Sequence, residues 1–393
     1  MTSNVHLEHV EELVLTRSVL GAADTVRILR QTAKYLANDP CDIDLSVKWD
    51  GAPAVVVGVN DRHEPFVATK SFFNQQPAYY TTISAIKQST MNVELKHILS
   101  TLLDIVIWSD IDLTKRQAYQ GDVLFLRRDR AMQITPETVS FQPNVIKYTL
   151  PHDSGIIRAN IGVAWHTAYT YEGGKIFGRA GTVPPFLVYL QNIWNVDGQS
   201  YVDPKKYSTA SYRVFEDQLL WAADIIKSID SSVLSEALHD EVLITQIKKA
   251  INSHYRGTDP DRPPPWEVYA SAVTAVESFY NAKIQDLMTA KAKYHWADKR
   301  ERSLSLLCDH KDDWVQVFLF MHITGSVKNG LVYGLNQRST ISCSFKKSNG
   351  DMVNTSVEGY VVVDHAGRQI AKLVDRAIFS RANFSADYQK GWG

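Results

Sequence analysis

The sequence predicts an α+β fold in which antiparallel sheets are interrupted by an all-α insertion. Three observations carry this expectation. Residues 44–72 run in short apolar or alternating stretches broken by turn residues, as half-buried strands do. From about 205 to 325 the apolar spacing becomes helical, and strand signals then resume. The order β-rich, all-α, β-rich predicts one strand-containing core, residues 1–204 and 326–393, with a helical insertion over 205–325.

Residues 7–37 read as helix, because Val26, Leu29, Ala33 and Leu36 recur at helical spacing and Asp24 suits a cap for a second segment. "HLEHVEEL" sets His6 and His9 beside acids and reads as a solvated helix face. "LSVKWD", "AVVVGV" and "PFVATKSFF" read as strands, the last two joined by the turn "VNDRHEP". Residues 91–107 return to helix. "QAYQGDVLFLRR", "VSFQPNVIKYTLP" and "IGVAWHTAYTYEGG" follow as strands. In the insertion, Phe215, Leu219, Ala222, Ala223 and Ile226 share one helical face. "SSVLSEALHDEVLITQIKKAINSHY" reads as one further helix, and residues 267–307 as a long helical stretch. "RGTDPDRPPPW" between them must be loop, since successive prolines cannot continue a helix. "STISCSFKK", "SVEGYVVVD" and "RQIAKLVD" are strands, joined by the turns "SNGD" and "HAG".

Bulk properties exclude several classes. The formal net charge is −1, so phosphate binding must come from a local patch and not a global field. Cys41, Cys308 and Cys343 are far apart with no CxxC pair, against a zinc site or a disulfide framework. A reducing, cytoplasmic setting is expected. The N-terminus carries acids where an export signal needs a basic start and an apolar run. No apolar run is long enough to span a bilayer; "VQVFLFMHI" reads as a buried helix or strand. His152 and His166 read as structural, with no metal-ligand spacing around them. "KAKYHWADKRER", Lys291 to Arg302, interleaves basic and aromatic residues as a nucleic-acid-binding face does, diluted by Asp298 and Glu301.

The chemistry-bearing residues form an ordered series. A lysine nucleophile must lose its proton, and an isolated lysine is almost fully charged at neutral pH. Cationic neighbours, a metal ion or desolvation lower its pKa. Attack on a nucleotide α-phosphate also needs cations on the phosphate oxygens. Lys48-Trp49-Asp50-Gly51 supplies a strand-end lysine, then a turn in which Gly51 lets backbone approach a ligand. Lys70 ends the next strand. Asp122 lies in "YQGDVLF", Trp165 and Tyr169 in "IGVAWHTAY", Glu358 in "VEGYVVVD", and Lys372 in "IAKLVDR" with Arg376 beyond.

This series resembles the covalent nucleotidyltransferase superfamily: ATP-dependent RNA and DNA ligases and mRNA capping enzymes. KWDG matches the KxDG nucleophile motif, QGDV the glycine-acidic strand motif and EGYVVV the EG-plus-hydrophobic motif; AKLV matches the final lysine motif in part. The longer string "KWDGAPA…TKS.FN…YQGD…PN.I.Y…EG.V…KLVDR..FS.ANF" is similar to a ligase-like family of large tailed phages. Two positions depart from the superfamily pattern. Pro53 stands where many DNA ligases and capping enzymes carry arginine, and Val374 stands where a second lysine is usual, leaving one phosphate contact missing or supplied by Arg376.

The resemblance implies a nucleotidyltransferase core of the ligase adenylation-domain, ATP-grasp-like type. Lys48 would form the lysyl-nucleotide. Asp122 and Glu358 would hold Mg²⁺ (or Mn²⁺) or the ribose hydroxyls, and Asp50 would orient the group. Gly51 and Lys70 would belong to the nucleotide site. Trp165 or Tyr169 would stack on the base, and Lys372 would contact the α-phosphate. The implied function is ATP-dependent joining of 5′-phosphate to 3′-hydroxyl ends. RNA is preferred to DNA as substrate, because of Pro53 and because the residues after Lys372 are too few for an OB-fold. A monomer is expected. The alternatives are a DNA nick-sealing ligase, another AMP-transferring enzyme, or a non-catalytic nucleotide-binding phage protein.

Overall fold

The computed structural model describes residues 7–109, 111–112, 117–127, 132–172, 175–180, 192–195, 202, 213–256, 263–365, 369–379 and 386–390. Among them the chain is a mixed α/β protein built from three sheets and ten α-helices. The strands are β1 (Ile43–Lys48), β2 (Ala54–Val59), β3 (Pro65–Ala68), β4 (Gln117–Leu126), β5 (Gln133–Ile134), β6 (Thr138–Phe141), β7 (Ile146–Pro151), β8 (Ile161–Glu172), β9 (Lys175–Ala180), β10 (Ile193–Asn195), β11 (Ser342–Lys346), β12 (Met352–Thr355), β13 (Gly359–Asp364) and β14 (Gln369–Val374). The helices are α1 (Val14–Ala37), α2 (Ile83–Gln88), α3 (Val93–Ile107), α4 (Ser154–Arg158), α5 (Arg213–Ser228), α6 (Ser231–Leu238), α7 (Glu241–Arg256), α8 (Pro265–Gln285), α9 (Ala290–Cys308) and α10 (Lys311–Arg338).

The central sheet has the order β10-β8-β4-β2-β3, with β9 on β8, and is antiparallel except for the β8/β10 pair. Its strands alternate. Val55, Val57, Tyr119, Val123, Val163 and Trp165 bury against Ile98, Leu99, Leu102 and Leu103 of α3. Asp122 and Gln120 face the other way. A three-stranded sheet, β1-β13-β14, joins residues from the two ends of the chain, and a five-stranded sheet runs β12-β11-β7-β6-β5.

The helical region runs past the boundary expected at its C-terminal end. The 204/205 boundary lies outside the described residues. The 325/326 boundary falls inside α10, which continues to Arg338. Glycines obscured this end of the helix in sequence. Gly330 is needed there because a Cβ would stand 2.5 Å from the ring of Phe215 on α5. The expected single helix over 231–255 is two, broken where Asp240 accepts from the Leu243 N–H at 2.9 Å. The long stretch 267–307 also breaks, and Thr289 caps α9 by accepting from Ala292 N–H. The loop over 257–262 and the turn at 366–368 lie outside the described residues.

At the N-terminus, residues 7–9 are not helical; a short 3₁₀ turn, Val10–Glu12, precedes α1. Asp24 lies inside α1, not at a cap. His6 lies outside the described residues, and the described part of "HLEHVEEL" is not a solvated helix face. Glu11 and Glu12 are buried: Lys328 of α10 lies 2.6 Å from Glu11, and Arg376 pairs with Glu12 and Asn252. α1 packs on α5, α6 and α10, so its apolar face and that of the later helices form one continuous core. No described helix is long and apolar enough to cross a membrane.

Candidate active site

Lys48 sits where the three-stranded sheet meets the central sheet. β1 pairs antiparallel with β13, and the register sets Lys48 opposite Gly359. Glu358, one residue before β13, therefore arrives beside it, and Lys48 Nζ donates to Glu358 Oε2 at 2.5 Å. Val361 pairs with Ser46 on one side and Lys372 of β14 on the other. Residues 359 and 361 share a face, so Lys48 and Lys372 point the same way from the sheet.

After Lys48 the chain turns onto β4. Ala52 N–H donates to Val123 O, and Val123 N–H donates to Pro53 O, each at 3.0 Å. This zips the turn to β4 and sets Ala54 opposite Asp122. Gly51 makes the approach sterically allowed, because a Cβ there would stand 2.7 Å from Asp122 Cβ. Trp49, alternating with Lys48, turns into an aromatic cluster with Tyr148, Phe141 and Trp194 and anchors the turn. Asp50 is held from the five-stranded sheet: its N–H donates to Tyr148 Oη at 2.7 Å, and Asn144 Nδ2 donates to its Oδ1 at 3.0 Å. Its Oδ2 is shielded from solvent and has no hydrogen-bond partner among the described residues.

Charges in the cluster act on one another. Burial opposes the Lys48 ammonium, but the Glu358 carboxylate, with Asp50 and Asp122 behind it, outweighs burial and raises the Lys48 pKa. Burial, then the Glu358 charge, pushes Asp50 up to about 7. Burial and the neighbouring Lys48 ammonium bring Lys372 down to about 8, against the pull of Glu12, Glu358 and Glu8. The resting site thus has a firmly charged Lys48 beside a Lys372 that is still mostly cationic at neutral pH but gives up its proton more readily.

Other expected residues fall elsewhere. Trp165 is 5% exposed, donates Nε1–H to Asn195 at 2.9 Å and packs under α3. It pairs with Gly121, so it lies on the sheet face opposite Asp122 and is a core residue, not a base platform. Tyr169 is buried, donates to Gln120 and packs on Phe73. Lys70 opens the short 3₁₀ helix after β3, is exposed, and makes none of the cluster's contacts. Arg376 is buried among Glu11, Glu12, Asn252 and the Tyr255 ring. His166 sits at the β-bulge of β8, its Nε2 3.7 Å from Asp122 Oδ2. The Lys291–Arg302 stretch forms α9; Lys283 and Lys299 flank the Trp296 ring and Asp298 pairs with Arg302, apart from the Lys48 cluster.

Asn144 and Tyr148 occupy "PN.I.Y", a string that carried no role in sequence. Only their contact with Asp50, from a sheet distant in the chain, reveals one.

Fold and site define a mixed α/β protein with a lysine–carboxylate cluster at a sheet junction. Over residues 4–388 the chain matches a family of unknown function, DUF6267, and it belongs to that family. No curated protein and no solved structure matches it.

Proposed function

We propose that this chain is an ATP-dependent polynucleotide ligase that works through a lysyl-AMP intermediate on Lys48. One observation supports it most: Lys48, Glu358 and Lys372, each from a different motif, converge on one sheet face although the first two stand 310 positions apart. In the first step the Lys48 Nζ–P bond forms, the bond to pyrophosphate breaks, and the amine proton departs. Glu358, at 2.5 Å, is the nearest acceptor for that proton. Lys372 and Asp50 flank the amine, Lys372 as a cation toward the α-phosphate and Asp50 as a carboxylate fixed by Asn144. AMP then passes to a 5′-phosphate end and is displaced by a 3′-hydroxyl.

The donors fit a magnesium ion shared with substrate. Among the described residues no group of three or more His, Cys, Asp or Glu side chains forms a ready cage. Asp122 and Glu358 border the cluster, and Asp50 adds an unpartnered oxygen. One or two carboxylates plus substrate phosphates are a usual magnesium donor set. Bound there, the ion would neutralise charge on the phosphate oxygens. RNA is the favoured substrate because Pro53 replaces the arginine common in DNA ligases.

The ion pair that keeps Lys48 charged favours a second reading, a nucleotide-binding protein without chemistry. Incubation with labelled ATP and Mg²⁺, then denaturing electrophoresis and intact mass, separates the two. The ligase reading expects a mass gain of one AMP that Lys48→Ala abolishes. No covalent label with any nucleotide would leave only the binding reading. Nicked and single-stranded RNA and DNA, run side by side, then define the substrate.

A further inference from the structure

We infer that His9, from the N-terminal segment, is a phosphate-binding residue that contacts the β- and γ-phosphates of a bound nucleoside triphosphate, an inference that rests on the nucleotidyl-lysine reading. His9 pairs with Lys372 in a parallel bridge, and Lys372 N–H donates to Glu8 O at 3.0 Å. The segment thus lies alongside β14, bridged to it at this one position. Directly paired residues share a face. The register Lys48–Gly359, Val361–Lys372 and Lys372–His9 therefore sets all three basic groups on one face. His9 lies one strand spacing, about 5 Å, beyond Lys372 on the side away from Lys48.

The surroundings of the ring suit an anion. His9 keeps partial exposure, while its Nδ1 is shielded and has no hydrogen-bond partner among the described residues. Burial first, then the positive charges of Lys372, Arg376, Lys328 and Lys48, hold the imidazole neutral. A polyphosphate entering there would offset those charges and let the ring donate a charge-assisted hydrogen bond. The segment is fixed before any ligand arrives, because Glu11 and Glu12 are tied to Lys328 and Arg376. His9 also fills a gap. Val374 and Pro53 carry no charge, and Arg376 is consumed by its carboxylate partners.

The test is calorimetric titration of the full chain and its His9→Ala and His9→Gln variants with ATP, inorganic pyrophosphate and AMP. Circular dichroism on each variant checks the fold. His9→Ala should weaken ATP and pyrophosphate binding about tenfold and leave AMP binding unchanged. His9→Gln, which keeps a side-chain donor, should retain most of the ATP affinity. Unchanged ATP affinity in His9→Ala overturns the inference. An equal loss for AMP also overturns it, since that marks a structural role. If the unaltered chain binds neither ATP nor AMP, the nucleotidyl-lysine reading falls and takes this one with it; if it binds both and His9→Ala is silent, only His9 is lost.

Discussion

Lys48 Nζ and Glu358 Oε2 lie 2.5 Å apart, and both side chains are largely withdrawn from solvent. Glu358 is what keeps the ammonium charged, since burial alone would lower the Lys48 pKa. Glu358→Gln should therefore let that pKa fall. Measured by pH-dependent acetylation and mass spectrometry, Lys48 should label faster in the variant at pH 8, because more of the amine is then unprotonated. Identical labelling curves would mean that the pair does not control the amine.

Asp50 gives a pH signature. Its folded-state pKa of about 7 stands above the usual carboxylate range. The folded protein thus binds the proton more tightly than the unfolded chain. This contribution to stability is full below about pH 4 and is lost as pH rises through about 7. Asp50→Asn should unfold at higher denaturant than the unaltered chain at pH 8, by about 1–3 kcal/mol, with the difference vanishing near pH 4. A constant difference across that range would contradict the assignment.

Gly51→Ala tests the approach of the turn to β4. The added methyl would meet Asp122 and Leu124 side chains and Asp122 backbone. Overpacking of this kind costs about 1–3 kcal/mol, readable as a lower chemical-denaturation midpoint. Full stability in the variant would show that the turn has room to move.

The pair of Glu11 and Lys328 is 1% exposed on each side. Lys328→Ala leaves a buried carboxylate with only the Arg376 guanidinium, 3.8 Å away, as a cationic partner among the described residues. The expected loss is about 3–5 kcal/mol by equilibrium unfolding, with most of it recovered in Glu11→Gln/Lys328→Met. A loss below about 1 kcal/mol would mean that water reaches the pair.

Much of this was legible in sequence, and the misses have physical causes. β1, β4, β8, β13 and β14 followed from short apolar runs, and Lys48, Glu358 and Lys372 from motif positions that fall at strand ends or on a shared face. Trp165 misled because a motif match does not say which side of a strand a residue takes. Its pairing with Gly121 places it under α3. Charged residues at helical spacing look solvated whatever they touch, so Glu11 and Glu12 hid their partners, which lie over 300 positions later. Asn144 and Tyr148 act on Asp50 from another sheet. Local pattern cannot show a contact made only by tertiary folding.

Among the described residues β1 finds its strand neighbour only in β13, and the N-terminal segment leans on β14. Such distant pairing is slow to close and cannot begin early. During translation the first strand must wait, one edge bare, until β13 has emerged from the ribosome. A product cut short before that point carries the lysine without Glu358 or Lys372, so premature termination yields an unassembled remnant in place of a half-working copy.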